Sequence, residues 1–181
     1  MKMEKAGKQD LTTSTSGPAP TIEVTHEQGD LLKLRVDALV NPWNRNFVPR
    51  GLLLVGGLSG QLKKRTGPGP WRALAKAGVL GVGDVVVTGA GRYDNATHLI
   101  HTAGLNAWWR ATPEGVTACV VSAVRAAADL GARSLALPLI GAGHGGMKPD
   151  ASLAAIDAGL ATFTYDPVKP ALRVKVVRLP E

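Results

Sequence analysis

The strongest constraint on the fold is a pair of helical patterns that enclose one apolar strand. The first helix is predicted to begin at Thr112 as its N-cap, with Pro113 in the first turn, and to end at Gly131. An apolar run follows at 134–141, and a second helical pattern occupies 149–163. A strand between helices of this length is typical of a parallel sheet with helices packed on it.

The rest of the chain continues this alternation. Strands are predicted at 21–28, 34–41, 84–90, 98–104 and 172–179. Helices are predicted at 57–67 and 70–78. We therefore expect a three-layer α/β/α sandwich with a mixed, mostly parallel six-stranded sheet. Ligands of such sheets bind beyond the carboxyl ends of the strands, which points to the loops 41–60 and 141–147.

Length and composition predict one domain. The chain has 181 residues, of which 45% are hydrophobic and 19% charged, so it can bury a core. We expect residues 1–20 to be a solvated tail and 21–181 a single domain. No apolar run reaches the roughly 18 residues of a membrane span. Cys119, the single cysteine, excludes a disulfide framework and is expected to be packed in a helix, which favours the cytoplasm.

The net charge of +7 has an uneven distribution along the chain. No acidic residue lies between Asp37 and Asp84. The cations of that stretch are Arg45, Arg50, Lys63, Lys64, Arg65, Arg72 and Lys76. Such a stretch favours a partner that carries phosphate or carboxylate groups, although a solvated helix face is the alternative.

The apolar run at 134–141 leads into GAGHGG, residues 141–146. Glycine destabilises a fold, so a cluster of glycines indicates backbone that bends sharply or approaches another group closely. Loops of this composition between a strand and a helix often hold phosphate, because free N–H groups and the helix N-terminus attract anions. A tight turn without a ligand is the alternative.

The other loop combines two asparagines with three glycines. Asn41 and Asn44 flank a Pro-Trp pair at the end of a strand. An unsatisfied buried amide costs about 1–3 kcal/mol, so one asparagine can tie down the loop while the other meets a ligand hydroxyl. Gly56, Gly57 and Gly60 then lead into a helix. Two glycine-rich turns at neighbouring strand ends can hold a diphosphate from two sides.

From about Ile22 to the C-terminus, the order of motifs resembles the macrodomains, a family that binds ADP-ribose. The resemblance rests on GDLLKLRVDALVNPWN, GGLSGQLKKRTG, LIHTAG and SLALPLIGAGHGG. Each stretch by itself is a loose match to the family, whereas four in this order are specific. The resemblance implies ADP-ribose or an ADP-ribosylated protein as the partner. It implies no cofactor, no metal and no membrane, and we expect a monomer.

The resemblance also implies individual ligand contacts. Asp30 would accept a hydrogen bond from the adenine amino group, and the backbone N–H of Leu31 would meet the ring; a turn or cap is the alternative for Asp30. Asn44 would bind the distal ribose, and Leu179 and Pro180 would cover one face of the adenine. The diphosphate would lie between two loops made of Gly57, Leu58, Ser59 and Gly60, and of Gly141, Ala142, Gly143, His144, Gly145 and Gly146.

Several positions depart from the hydrolytic members of the family. Ser59 stands where the MacroD-like group carries an aspartate. Gly145 stands where a second group carries an aspartate, and it also lacks the usual aromatic ring over the distal ribose. That second group uses a lysine in the first loop, where this chain offers only Arg45 and Arg50. His101 matches a strand position and is expected to be a structural core residue.

We expect the protein to bind ADP-ribose and to remove it from modified acidic side chains. In such a reaction the substrate's phosphate would activate a water, Asn44 would orient the ribose, and Ser59 would help to hold the water. His144 would act as acid or base, or else be a solvent-facing loop residue. The alternative function is a non-catalytic reader of ADP-ribosylated targets or ADP-ribose-type metabolites. Nucleic acid is disfavoured as the main partner, because no recognition helix or aromatic stacking platform is evident.

Overall fold

A computed structural model describes residues 19–44, 56–166 and 170–180. The strands are β1 (Ile22–Gln28), β2 (Val36–Trp43), β3 (Val85–Gly89), β4 (Ala96–Ala103), β5 (Ser134–Pro138) and β6 (Leu172–Arg178). The helices are α1 (Gly57–Thr66), α2 (Pro68–Lys76), α3 (Pro113–Asp129) and α4 (Pro149–Leu160), with a short 3₁₀-helix at Leu31–Lys33. The predicted tail 1–20 lies mostly outside the described residues.

The six strands form one sheet in the order β1-β6-β5-β2-β4-β3. All neighbouring pairs are parallel except β3 with β4, which are antiparallel. Parallel neighbours need a crossover connection, and the helices supply it. The predicted three-layer α/β/α sandwich with a mixed, mostly parallel sheet is therefore confirmed.

Strand β2 illustrates how the sequence fills both faces of the sheet. Ala38 and Val40 pack into the core beneath α3 and α4, whereas Leu39 packs into the core beneath α1 and α2. Successive side chains of a strand point to opposite faces, so a continuous apolar run belongs to a sheet covered on both sides. The consecutive apolar residues 38–40 have this cause.

Helix α3 has the ends that its sequence predicts. The Thr112 hydroxyl oxygen accepts a hydrogen bond from the Gly115 N–H at 3.1 Å, and Pro113 occupies the first turn. Gly131 follows the helix with φ 68°, the left-handed conformation that glycine adopts most easily.

Cys119 is fully buried in this helix, and burial raises the pKa of its thiol to about 11. In the described ranges, no helix is long and apolar enough to cross a membrane.

Some observed boundaries differ from the predicted ones by two or three residues. Strand β2 continues to Trp43, beyond the predicted end at 41, because β4 lies alongside as far as Ala103. Strand β5 ends at Pro138 rather than at 141, and α4 ends at Leu160 rather than at 163. In the second case the N–H of Phe163 bonds to the Leu160 carbonyl and closes a turn.

Candidate functional site

A cavity of about 620 Å³ opens where β2 and β5 separate. These strands pair only at Ala38 with Leu135 and at Leu39 with Ala136. The cavity lining includes Pro42 of β2 and Pro138 of β5 together with the predicted loops. Diverging carboxyl ends of parallel strands are the usual ligand-binding position of an open α/β sheet.

The first glycine turn places the start of α1 against this cavity. Gly56 is the N-cap and provides no side chain to cap the helix, and Gly57 has φ 57°. The first amides of an α-helix have no acceptor within the helix, so those of Gly57, Leu58 and Ser59 are unused by α1. All three residues line the cavity, and the partial positive charge of a helix N-terminus favours an anion there.

The second glycine turn is held in shape by backbone bonds at its ends. The Gly141 carbonyl accepts from the Met147 N–H at 3.1 Å, and the Gly145 carbonyl accepts from the Ala111 N–H at 3.1 Å. The hydroxyl of Ser152 in α4 donates to the Ile140 carbonyl at 2.7 Å and fixes the loop to that helix. Backbone hydrogen bonds and the Ser152 hydroxyl therefore hold this turn in shape, without bonds from the side chains of the turn.

Within this turn, the amides of residues 143–145 donate to no acceptor in the described part of the chain. All three residues line the cavity. Successive N–H groups without acceptors make an anion-binding concavity. The turn therefore offers donors to a ligand at the same cavity as the start of α1.

The other end of the cavity is formed by the segment between β1 and β2. The Asp30 carboxylate accepts from the Leu32 N–H at 2.9 Å and caps the 3₁₀-helix, which is the alternative role considered for it. Asp30 and Leu31 both line the cavity, and the Leu31 N–H, at the start of that helix, has no acceptor within it. Val177 of β6 and Leu179, which follows that strand, also line the cavity at this end.

Most of the residues singled out from the sequence lie at this one cavity. It is lined by Asp30, Leu31, Asn44, Gly57, Leu58, Ser59, Gly141, Ala142, Gly143, His144, Gly145 and Leu179. Gly60, Gly146 and Pro180 do not line it. Gly60 donates its N–H to the carbonyl of the N-cap Gly56, and the Gly146 N–H donates to the Gly143 carbonyl and closes the turn. The predicted contacts at Arg45 and Arg50 lie outside the described residues.

The three residues proposed for catalysis differ in their surroundings. Asn44 is buried. Ser59 is half-buried, and its hydroxyl donates to the side-chain oxygen of Asn41 at 2.7 Å. His144 is exposed, and its Cε1 would lie 3.5 Å from a Cβ at Gly56, so the imidazole stands beside the start of α1. The structure brings all three to one cavity.

Behind Ser59 lies a buried polar cluster around His101. The Asn41 side-chain nitrogen is 2.9 Å from His101 Nδ1, and the Thr88 hydroxyl is 3.0 Å from His101 Nε2. Burial lowers the pKa of His101 to about 4, so the imidazole is neutral near pH 7. The ring also packs edge-on against Trp71 at 5.4 Å between centroids.

Trp109 is a site residue that was not predicted from the sequence. It lines the cavity from the loop after β4, and its φ is 60°. Asn106 shapes this loop by accepting from the N–H groups of Trp108 and Arg110, each at 3.0 Å. The Asn-x-Trp-Trp pattern after a strand end was the available signal, because asparagine commonly forms such turns.

Comparisons with known proteins identify the family of this chain. The sequence profile named Macro domain matches residues 40–156, more than half of the chain. The chain therefore belongs to the macro domain family.

Two curated relatives show the extent of the similarity. A macro domain-containing protein of Streptomyces griseus is 33% identical over 167 residues, which cover 88% of this chain and 88% of that protein. An uncharacterized protein of Mycobacterium bovis is 33% identical over 129 residues, or 71% of this chain, but the match covers 34% of that protein. The chain thus spans about a third of the length of that relative.

Among solved structures, a variant of the Oceanobacillus iheyensis macrodomain with ADPR (ADP-ribose) bound has the same fold. Its TM-score is 0.72 at 22% identity, and the similarity covers 90% of this chain and 88% of that one.

Proposed function

We propose that this cavity binds ADP-ribose. The proposal rests mainly on one observation. Two groups of backbone N–H donors without acceptors in the described part of the chain line the same cavity, one at residues 143–145 and the other at the start of α1. A diphosphate between them would receive donors from both sides, and glycine leaves the backbone accessible. The surrounding apolar residues suit the nucleoside parts of the ligand.

The adenine is proposed to lie at the end formed by Asp30, Leu31 and Leu179. One Asp30 oxygen already accepts from Leu32, and the second can accept from the adenine amino group. The Leu31 N–H would donate to a ring nitrogen, and the exposed Leu179 side chain would cover a face of the ring. The distal ribose would then lie near Asn44, Ser59 and His144.

We further infer that the protein hydrolyses the bond between ADP-ribose and an acidic side chain. The water oxygen forms a bond to the anomeric carbon of the distal ribose while the bond from that carbon to the carboxyl oxygen breaks. The electron pair leaves with the carboxylate. The proton lost by the water goes to the substrate's phosphate, because Asp30, the sole carboxylate among the described lining residues, lies at the adenine end and the Ser59 hydroxyl is a poor base. His144, which also lines the cavity, is the alternative acceptor of this proton. Catalysis then depends mainly on positioning by Asn44 and Ser59.

The test is incubation with a protein that carries ADP-ribose on glutamate, followed by measurement of free ADP-ribose. Asn44→Ala should reduce turnover more than affinity, since an aligning contact acts chiefly in the transition state. Calorimetry with ADP-ribose gives the affinity of each protein independently. Absence of binding to the parent protein would contradict the whole proposal.

A second candidate function is a reader that binds ADP-ribosylated targets without turnover. The observation that favours it is Ser59, because a hydroxyl is a poor general base where a carboxylate would be a good one. The two candidates give different results in the same assay. Tight binding without release of ADP-ribose would identify a reader.

A further inference from the structure

Four side chains form a continuous hydrogen-bonded chain from the cavity into the core. Ser59 lines the cavity and bonds to Asn41 at 2.7 Å, Asn41 bonds to His101 at 2.9 Å, and His101 bonds to Thr88 at 3.0 Å. Asn41 and His101 are fully buried, and Thr88 is 6% exposed. Three strands build this chain, since His101 of β4 lies directly beside Asn41 of β2 and beside Val86 of β3.

The direction of each bond follows from the donors and acceptors available. A neutral imidazole carries one N–H, and the Asn41 amide nitrogen can only donate, so His101 Nδ1 is the acceptor. The ring proton is then on Nε2 and is donated to the Thr88 oxygen. The Asn41 side-chain oxygen consequently accepts from the Ser59 hydroxyl.

This arrangement leaves the Ser59 hydroxyl with no proton for the cavity. Its one hydrogen points to Asn41 and, at 3.2 Å, to the Pro42 carbonyl, both on the protein side. The lone pairs of the Ser59 oxygen are the groups that remain for a ligand. Such an oxygen is an acceptor, as a carboxylate oxygen is, although it is not a base.

We propose that Asn41, His101 and Thr88 are positioning residues that fix Ser59 as a hydrogen-bond acceptor for the attacking water. The proposal rests on the hydrolysis proposed above, and it identifies the group that orients the attacking water. An acceptor at Ser59 holds one O–H of the water and directs its oxygen lone pair to the ribose, while the other O–H meets the substrate's phosphate. If the hydroxyl donated into the cavity instead, it would bind the attacking lone pair and oppose the reaction.

The bond directions can be measured without turnover. Nitrogen NMR of the histidine-labelled full chain distinguishes the two neutral tautomers. We expect His101 to be the Nε2–H tautomer between pH 6 and 8. The Nδ1–H tautomer would reverse the Asn41 amide and overturn the proposal, whatever the activity.

The kinetic test uses Thr88→Val, which keeps the side-chain shape and removes the acceptor of the ring proton. Loss of this acceptor should favour the Nδ1–H tautomer of His101. The side-chain amide of Asn41 should then reverse its orientation, and the Ser59 hydroxyl should donate toward the cavity. We expect kcat to fall roughly tenfold, the effect of about one hydrogen bond. The Kd for ADP-ribose should stay within about twofold, since the water is not part of that ligand.

A double-mutant cycle separates this role from a structural one. In a Ser59→Ala background, Thr88→Val should have no further effect on kcat, because the hydroxyl through which it acts is absent. Equal losses in both backgrounds would overturn the proposal. His101→Asn, which keeps an acceptor near the position of Nδ1, should retain more activity than His101→Leu, and circular dichroism checks that each variant folds.

The outcomes distinguish this inference from the proposed function. Absence of turnover in the parent protein, with the Nε2–H tautomer present, would overturn hydrolysis and with it the catalytic role of the chain of bonds. Full turnover with the Nδ1–H tautomer would overturn the inference and leave hydrolysis standing.

Discussion

Trp109 combines a left-handed backbone with a large aromatic side chain. Among the described residues it is the one non-glycine position with positive φ, at 60°. Such a conformation costs of order 1–3 kcal/mol and persists where the surroundings impose it, often at binding sites. The Asn106 turn imposes this conformation here and places the Trp109 indole at the cavity. Gly145, which also lines the cavity, supplies no aromatic side chain.

We therefore predict that Trp109→Gly weakens ADP-ribose binding without lowering stability. The indole should contribute about 1 kcal/mol to binding, or roughly fivefold in Kd, while glycine relieves the backbone conformation. Calorimetry and thermal unfolding measure the two effects. Trp108→Gly is the matched control, because Trp108 is 80% exposed and does not line the cavity. Equal losses of affinity in both variants would contradict this role for Trp109.

Two glycines of the second turn should respond differently to substitution. A Cβ at Gly143 meets no atom within 4 Å, whereas a Cβ at Gly145 would lie 2.7 Å from the Gly141 carbonyl oxygen and 2.8 Å from the Ala111 Cβ. Gly143→Val should abolish ADP-ribose binding and leave the melting temperature close to that of the parent. Gly145→Ala should lower the free energy of unfolding by about 1–3 kcal/mol, the usual range for overpacking. A Gly143→Val protein that still binds would place the diphosphate elsewhere.

At the scale of the elements, β2, β3 and β4 enclose an imidazole that cannot easily be charged. Burial holds the pKa of His101 at about 4, compared with 6.5 for the free side chain. As the pH falls, the unfolded chain binds a proton at this residue before the folded protein does. The stabilisation of the folded protein by the neutral His101 is therefore fully present above pH 6.5 and is lost progressively toward pH 4.

We predict that the free energy of unfolding falls by up to about 3 kcal/mol over this window because of His101 alone. Urea titrations at several pH values measure it, and His101→Asn should remove this part of the pH dependence. His26→Gln is the control, since His26 is exposed and bonds to Asp157 at the surface. An unchanged acid dependence in His101→Asn would show that other groups cause it.

The order and type of the elements were predictable because their signals are local. Thr112, Pro113 and Gly131 define α3, and the two-sided apolar run at β2 defines a buried parallel strand. The positions of Asn44, Ser59 and the glycine turns at one cavity agree with the sequence interpretation, although their roles remain predictions. The bond between Ser59 and Asn41 and the position of Trp109 depend on tertiary packing, which no local pattern encodes.

At the scale of the whole molecule, a helix that begins at the cavity carries a cluster of exposed cations. Helix α1 begins at the cavity and carries Lys63, Lys64 and Arg65, all exposed, in its last turn. With a net charge of +7, the protein should attract an anionic ligand over long distances, and salt should screen that attraction. This long-range attraction should change the rate of association more than the affinity.

We predict that Lys63→Gln with Lys64→Gln slows association with ADP-ribose several-fold at low salt and not at high salt. Stopped-flow fluorescence at a series of ionic strengths measures the rate. The control is Arg133→Gln with Arg173→Gln, which removes the same charge at the amino ends of β5 and β6, away from the cavity. If both pairs slowed association equally, total charge rather than its location would be responsible.

The position of β6 has a consequence for synthesis of the protein. It lies between β1 and β5, although β1 is the first and β6 the last of the strands in the described residues. The register joins Ile22 to Leu172 and Gln28 to Arg178, so the partner strand that the described residues give to β1 is complete only when translation has passed residue 178. Val177 and Leu179 also complete one end of the cavity. A nascent chain released or cleaved before this strand emerges would therefore leave the edge of β5 unpaired and have no finished ligand site.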